Sequence, residues 1–468
     1  MEAAKTTFAL YFGNRGMFPG SLMASARQEM VAILKGMGHD VLLMDESATR
    51  FGAVETPEEG RIYAKFLEEN KGKFGGVILT LPNFGDENGA MAALKNAGVP
   101  IFIHAYPDDL DKMAPELRRD AFCGKFSIMD VFWQAGIKYT IAKPHTVSPH
   151  SERFADNIDF FDRVCRVYNG MKDMVLGALG ARTTAFKTVR FDEVTLQRHG
   201  ITVEAFDLSD VFKRMDDIAS GTPKLNDKIA RLRSYTCWEG VPEDRLEQIS
   251  RLGVVIDDMV DEYRLDCIAL RCWVELQAQL GISPCVLLSE MNDRGIAASC
   301  EVDVGNAVAM HALKLATGQP ATCLDWNNNF ADEDDKCILF HCGPVPQSLM
   351  AGPGRITDHA ILRNVVGEGC AFGCNVGRIA PMDFTYASSL TAEGRVKFYV
   401  GEGKFTEDPI ADDFFGCAGV AQIEHLQDVL YFVGKNGYRH HVSCAPGNVK
   451  AAMVEAFTNY LGYDVAVL

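Results

Sequence analysis

The amino-acid sequence predicts an α/β protein with two doubly wound, Rossmann-like parallel-sheet domains followed by a C-terminal antiparallel β-barrel domain. Two stretches, residues 7–105 and 183–317, alternate short apolar strands with amphipathic helices, which is typical of a parallel sheet covered on both faces. After about residue 320 the strands are separated by glycine turns without helices between them, which favours an antiparallel barrel. These changes of pattern predict domains at residues 1–165, 166–319 and 320–468.

In the first domain, apolar runs of strand length alternate with helical patterns. Strands are predicted at residues 8–12, 40–44, 76–80 and 100–104, and helices at 21–36, 56–70 and 87–96. A longer helical stretch at 151–177 has apolar residues three and four positions apart, and it is interpreted as a bridge to the second domain.

The later elements follow from the same periodicities. In the second domain, strands are predicted at residues 183–189, 203–207, 266–270 and 296–299, and helices at 211–219, 246–264, 284–294 and 303–317. In the third, strands are predicted at 321–324, 336–340, 380–387, 394–400 and 418–424, with a closing helix at 449–461. Ligands of parallel α/β sheets bind beyond the carboxyl ends of the strands, so residues that follow strands are the first candidates for a site.

Composition and charge exclude several classes of function. A net charge of −17 over 468 residues argues against nucleic acid or an anionic membrane surface as a partner, because both require clustered Lys and Arg. No apolar run approaches the roughly 18 residues of a membrane span, and the first residues lack the pattern of a signal peptide. The fourteen cysteines are scattered through apolar segments, as expected for reduced thiols in a cytoplasmic protein.

Candidate metal ligands follow successive apolar runs. Glu301, Asp325 and His341 each come directly after a short predicted strand. His440 and His441 supply a further ligand, and because alternate strand residues point to opposite faces, only one of them is expected to face the metal. Carboxylate and imidazole ligands suit Mn²⁺, or another divalent ion, better than a structural zinc. Taken singly, Glu301 could instead cap the next helix and Asp325 open a turn, but the set of four favours a metal site.

Three residues are candidate substrate contacts: Arg15, Trp326 and His440. Arg15 lies in a glycine-rich loop after the first strand, where a guanidinium can hold hydroxyls or an anionic group. That loop lacks the Gly-Lys-Ser/Thr ending of a phosphate-binding loop, and a surface arginine is the alternative interpretation. Trp326 and His440 are each adjacent in sequence to a candidate ligand.

The order of the two α/β domains and four motifs resembles the L-fucose and L-arabinose isomerase superfamily. The motifs are Gly295-Ile-Ala-Ala-Ser-Cys-Glu301-Val-Asp, Leu324-Asp325, Phe340-His341-Cys-Gly and His440-His441-Val. Segments 379–386 and 394–403 are also similar to that family's C-terminal barrel. The resemblance implies a ketol isomerase that converts aldoses to ketoses with Mn²⁺ held by two acidic residues and histidine.

By position, the resemblance implies that Glu301 and Asp325 are metal ligands and the acid/base pair. It implies that His341 is a ligand, as in the arabinose branch, and that His441 is the distal ligand. The aspartate at position 325 matches the fucose branch. The family also implies a homo-oligomer, hexamer or trimer, with active sites between subunits, in which the Arg15 loop of a neighbouring subunit reaches a monosaccharide.

The implied mechanism removes the C2 proton of an open-chain sugar with Glu301 or Asp325 and reprotonates C1 through a cis-enediol. Two other classes of function stay open. One is a non-catalytic sugar-binding protein, because two α/β lobes also build ligand-closing modules, and the other is a metal-dependent aldolase or hydrolase with the same ligands. The sequence leaves open which aldose and ketose are used, and whether the sugar is anionic.

Overall fold

The computed structural model describes residues 4–468, which form two compact units. One unit contains residues 4–169 together with 451–462, and the other contains residues 170–450 together with 463–468. Along the described stretch, every helix falls short of the length or hydropathy that crossing a bilayer requires.

The N-terminal unit is built on a four-stranded parallel sheet in the order β2-β1-β3-β4. Its strands are β1 Phe8–Phe12, β2 Val41–Leu43, β3 Gly76–Leu81 and β4 Ile101–Ala105. Its helices are α1 Leu22–Gly36, α2 Pro57–Glu69, α3 Glu87–Leu94, α4 Ala121–Gln134 and α5 Glu152–Met171. Strands β1, β3 and β4 are buried throughout, as expected for a parallel sheet covered on both faces. The predicted strands and first three helices are confirmed, and α4 was not predicted.

The second unit begins with another four-stranded parallel sheet, in the order β6-β5-β7-β8. Its strands are β5 Met174–Leu179, β6 Ile201–Phe206, β7 Cys267–Leu270 and β8 Ala297–Cys300. The helices around it are α6 Glu193–Arg198, α7 Leu208–Asp216, α8 Pro223–Tyr235, α9 Glu243–Tyr263, α10 Glu275–Leu280, α11 Cys285–Asp293 and α12 Val304–Thr317.

Two predictions in this region were wrong. The bridging helix ends at Met171, and residues 174–177 belong to β5. Because β5 is apolar and almost wholly buried, it lacks the alternation that separates a strand from a helix. The strand predicted at 183–189 is a loop with a 3₁₀ turn at Lys187–Val189, and α8 was not predicted.

The rest of the second unit contains a closed six-stranded antiparallel barrel in the order β15-β10-β9-β16-β13-β14, closed by pairing of β14 with β15. The strands are β9 Thr322–Asn329, β10 Lys336–His341, β11 Arg355–Asp358, β12 Phe372–Arg378, β13 Met382–Ala392, β14 Arg395–Phe405, β15 Cys417–Gln422, β16 His441–Pro446 and β17 Asp464–Val467. The helices of this part are α13 Arg363–Val366 and α14 Leu426–Lys435. Helix α15 Lys450–Glu455 and the π-helical turn that continues it, Ala456–Leu461, follow β16 in the chain but belong, from residue 451, to the N-terminal unit. The predicted fold class, two parallel sheets followed by an antiparallel barrel, is confirmed.

The strand order places three predicted site residues on neighbouring strands. β9 lies between β10 and β16, and His441 at the start of β16 pairs directly with Asp325 of β9. Asp325 also pairs with the residue before His341, at the end of β10. Leu324 and Val442, from the same two strands, point into the barrel core. The alternation of β9 and β16 therefore turns Asp325 and His441 to the outer face of the barrel.

Candidate metal centre

Four side chains converge beside the second parallel sheet and the barrel: Glu301, Asp325, His341 and His441. Nε2 of His441 lies 3.0 Å from Oε2 of Glu301 and 3.4 Å from Oδ1 of Asp325. One ligand atom each from Glu301, His341 and His441 lies within 4.8 Å of the other two. Asp325 belongs to a second such group, with His440 and His441, so the predicted ligands form two overlapping groups that share His441.

The atoms that face this centre lack hydrogen-bond partners. Oε2 of Glu301, Oδ1 of Asp325 and Nε2 of both His341 and His441 are buried, with no hydrogen bond from any part of the described chain. Leaving a buried polar atom unsatisfied costs about 1–3 kcal/mol. A cation enclosed by these atoms removes that cost and offsets the repulsion between neighbouring lone pairs. Two carboxylates with imidazole nitrogen fit a divalent ion of the Mn²⁺ type.

The backbone that presents Glu301 is strained. Glu301 and Val302 follow β8 with φ values of 63° and 57°, in the left-handed region that favours glycine. Such a conformation costs of order 1–3 kcal/mol per residue and is found mainly at functional sites. Burial alone would raise the pKa of Glu301, but its close contact with His441 outweighs burial and lowers the pKa below its usual value. The side chain is therefore both buried and ionised.

His441 is held from behind by a carboxylate and an arginine. Its Nδ1 donates to Oδ2 of Asp303 at 2.8 Å, and Nη1 of Arg439 donates to Oδ1 of Asp303 at 2.7 Å. All three residues are at most 4% exposed. Burial would raise the pKa of Asp303, but the charge of Arg439 and the bond from His441 hold it well below its usual value. Burial lowers the pKa of His441, but its contacts with Cys323, Asp303 and Glu301 raise it well above the usual value. Because Asp303 holds a proton on Nδ1, His441 would bind a cation through Nε2, with the proton of Nε2 displaced by the cation.

Asp303 also starts helix α12. Its Oδ1 accepts the backbone N–H of Asn306 at 3.0 Å, and its Oδ2 accepts Nδ2 of Asn306 at 2.7 Å. Asp303 is therefore the N-cap, and the alternative interpretation that Glu301 caps this helix is wrong. Gly305 leaves room for Arg439, because a Cβ at Gly305 would overlap the guanidinium. Asp303 and Arg439 were not predicted from the sequence; the available signal was a second carboxylate within the Glu301 motif.

His440 lies at the exposed edge of the cluster. Its side chain is 45% exposed, its Nε2 is 3.7 Å from Oδ1 of Asp325, and its ring centroid is 4.5 Å from that of His441. Burial and the charge of His441 lower the pKa of His440. Because His440 precedes β16, strand alternation does not separate the two imidazoles, and both reach Asp325. Which of the two binds an ion stays a prediction.

Trp326 points away from the cluster. Its indole donates to the hydroxyl of Tyr399 at 3.3 Å and packs edge-on against Tyr386, with ring centroids 5.8 Å apart. Both tyrosines belong to the barrel core. Because Trp326 follows Asp325 on β9, the two side chains point to opposite faces. These contacts hold Trp326 against the barrel core, and its role toward a substrate stays a prediction.

Arg15 lies in the N-terminal unit, in the loop after β1. Its Nε donates to the carbonyl of Gly85 at 2.9 Å, and its Nη2 pairs with Oε1 of Glu87 at 3.1 Å. The guanidinium also lies over the ring of Phe84, 4.2 Å from the centroid. These contacts fix the side chain within the loop, and its role toward a substrate stays a prediction.

Two segments of the chain match known domain families. Residues 9–172 match the family described as "Fucose/sulfoquinovose isomerase, N-terminal domain", and residues 339–468 match "L-fucose isomerase, C-terminal domain". The two matches together cover more than half of the chain and lie on either side of Glu301 and Asp325.

Curated relatives point to the same group. The sulfoquinovose isomerase of Priestia aryabhattai is 23% identical over 62% of this chain and 64% of the relative. Those of Clostridium sp. (strain MSTE9) and Alkalicoccus urumqiensis are 25% and 20% identical, covering 65% and 61% of this chain and 67% and 63% of the relative. The aligned part of the chain thus spans about 64% of the length of the first of these relatives. All of these names denote isomerases, and the chain belongs to the L-fucose and L-arabinose isomerase superfamily that its sequence resembles.

Proposed function

We propose that this protein is a metal-dependent ketol isomerase that interconverts an aldose and its ketose in the cytoplasm. The observation that carries the proposal is the enclosed set of unpaired oxygen and nitrogen atoms from Glu301, Asp325 and His441. Membership of a superfamily of isomerases supports the reaction class. Fourteen free cysteine thiols, eleven of them buried, support a reducing compartment.

Glu301, Asp325 and His441 are the residues that would hold the ion, with Mn²⁺ as the proposed species. A divalent ion there supplies Lewis-acid polarisation of the sugar carbonyl, which acidifies the proton on C2. Glu301, buried and ionised, is the group we assign to accept that proton and to return it to C1 through a cis-enediol. Asp325, whose side chain is 19% exposed, is assigned to move a proton between O1 and O2. Because Glu301 is enclosed, the proton returns to the same face of the sugar.

The proposed substrate is a sulfonated aldose of the sulfoquinovose type. This choice rests on the names of the curated relatives and on the N-terminal family match. L-Fucose is the second candidate, named by the C-terminal family match. His440, half exposed beside Asp325, is the residue we assign to contact sugar hydroxyls.

The test is to incubate the metal-stripped chain with sulfoquinovose, L-fucose or L-arabinose in D₂O, with and without Mn²⁺. We expect Mn²⁺-dependent formation of the ketose from sulfoquinovose, loss of activity in EDTA, and deuterium only at the transferred position. A chain that binds the sugar without converting it is a binding protein, and one that yields fragments is an aldolase or hydrolase. Either result contradicts the proposal.

We also propose a homo-oligomer, hexamer or trimer, and helix α4 supports a contact surface. Phe122, Phe126 and Trp133 are 54%, 53% and 77% exposed, and their spacing places them on one face of the helix. Exposed apolar patches of this kind mark interaction surfaces. We expect Trp133→Glu to shift the intact chain to smaller assemblies in light scattering. Tyr431→Glu, at an exposed aromatic on α14, is the matched control and should leave the mass unchanged; a monomeric parent chain contradicts the proposal.

A further inference from the structure

Two buried histidines, His341 and His359, line one cavity beside Glu301. Trp273 and Leu362 line the same cavity. His341 and His359 are 2% and 1% exposed. The cavity is too narrow to hold a water molecule in this structure, and both imidazoles border it together with the Glu301 carboxylate.

The two nitrogens of His341 have different surroundings. Its Nδ1 accepts a hydrogen bond from the backbone N–H of Cys342 at 2.9 Å. A nitrogen that accepts a hydrogen bond carries no proton, so the proton of neutral His341 is on Nε2, the buried atom that faces the cluster without a partner. His441 is arranged the opposite way, because its Nδ1 bonds to the carboxylate of Asp303. In their neutral forms, His441 therefore presents a lone pair to the centre, whereas His341 presents an N–H.

His359 has the same arrangement as His341. Its Nδ1 accepts the backbone N–H groups of Ile361 and Leu362, both at 3.3 Å. The proton of the neutral ring is therefore on Nε2, at the opposite edge of the imidazole. Burial lowers the pKa of His359 to about 4, so the ring is neutral near pH 7.

We propose that His341 and His359 are neutral hydrogen-bond donors to substrate oxygens and that neither is a metal ligand. This assignment rests on the proposed isomerase function and limits the protein ligands to Glu301, Asp325 and His441. When the C2 proton moves to Glu301, the C2–H electron pair forms the carbon–carbon double bond and the carbonyl electron pair moves onto O1. A neutral N–H aimed at an oxygen that gains charge stabilises the transition state without itself losing a proton.

His341 is assigned as a hydrogen-bond donor because its binding a metal ion would cost free energy. For Nε2 of His341 to bind an ion, its proton must move to Nδ1. The Cys342 N–H and the new Nδ1–H would then point at each other across 2.9 Å, leaving a buried backbone donor unsatisfied at about 1–3 kcal/mol. His441 requires no such rearrangement.

The first test measures Mn²⁺ affinity, by calorimetry or by the EPR signal of free Mn²⁺, with no substrate present. We expect His441→Gln to weaken Mn²⁺ binding by at least about 10–100-fold. His341→Gln, His341→Leu and His359→Leu should each change the affinity by less than about threefold. If the two His341 variants weaken binding as much as His441→Gln does, His341 is a ligand and the proposal is overturned.

The second test measures kcat and KM of the Mn²⁺-loaded variants on the accepted aldose. Removing one donor from an oxygen that gains charge lowers kcat by about 10²–10³-fold, which we expect for His341→Leu. His341→Gln keeps an N–H donor and should recover part of this loss, which a purely structural role would not produce. An unchanged kcat/KM in His359→Leu excludes that residue as a donor. If the parent chain forms no ketose, the proposed function fails, whereas the Mn²⁺ affinities still decide the ligand assignment.

Discussion

Replacing Glu301 with glutamine is expected to lower kcat for aldose–ketose conversion by about 10²–10⁴-fold. Glutamine keeps the volume and backbone of the residue but cannot accept a proton. In the parent chain the carboxyl is 4% exposed, and its pKa lies below the usual value, so the group is ionised at neutral pH. The measurement is kcat at saturating Mn²⁺ and sugar, with metal occupancy determined on the same sample.

A burial-matched control separates catalysis from folding. Glu290 on α11 is 2% exposed and pairs with Lys228 at 3.0 Å and with Arg294 at 2.7 Å, away from the cluster. Glu290→Gln removes an equally buried carboxylate and should lower thermal stability without changing kcat of the folded enzyme. If Glu301→Gln keeps its metal and turns over within about tenfold of the parent, its role as the base is wrong.

The positions of the predicted ligands could be inferred from local sequence because the fold places strand ends together. Glu301 follows β8 of the parallel sheet, and Asp325 and His441 pair across β9 and β16 of the barrel. Each of these residues lies next to an apolar run, and the rigid strand formed by that run holds its side chain in place. The convergence itself could not be derived, since no local pattern states that β16, more than a hundred residues later, lies beside β9.

The errors have physical causes. Residues of β5 were assigned to a helix because a buried parallel strand is apolar on both faces. Asp303 was not predicted as a site residue because its position in the sequence is that of an ordinary N-cap of α12, a role that it also fills. Its second role requires Arg439 and His441, which are distant in sequence and adjacent only in the folded chain.

The hydrogen-bonding state of each histidine is a further property that the sequence does not contain. His341 ends barrel strand β10, His441 begins barrel strand β16, and both reach the same centre. What distinguishes them is the group bonded to Nδ1, a backbone N–H for His341 and a carboxylate for His441. Residue type and spacing predict that an imidazole is present, whereas its partner on the far nitrogen determines whether it donates or ligates.

Asp303→Asn is expected to weaken Mn²⁺ binding by about 10–100-fold, although Asp303 does not face the centre. The carboxylate accepts four hydrogen bonds: Oδ1 from Arg439 and the Asn306 backbone, and Oδ2 from His441 and the Asn306 side chain. An asparagine must turn its NH₂ group toward one of these pairs of donors. Facing His441, the amide favours the tautomer with the proton on Nε2, which removes the lone pair that would hold the ion. Facing Arg439, it leaves a buried charge unpaired, and losing one partner of a buried pair costs about 3–5 kcal/mol.

Because the asparagine can adopt either orientation, Mn²⁺ affinity and thermal stability must both be measured. Mn²⁺ affinity by calorimetry reports the His441 tautomer, and the thermal midpoint reports Arg439, so at least one of the two must fall substantially. Asp464→Asn is the matched control, because Asp464 pairs with Arg395 at the surface and exposed pairs contribute only about 0–1 kcal/mol. An Asp303→Asn chain that matches this control in both Mn²⁺ affinity and thermal midpoint contradicts a positioning role for Asp303. A normal midpoint with weakened Mn²⁺ binding instead shows that the carboxylate acts on the ion through the orientation and tautomer of His441.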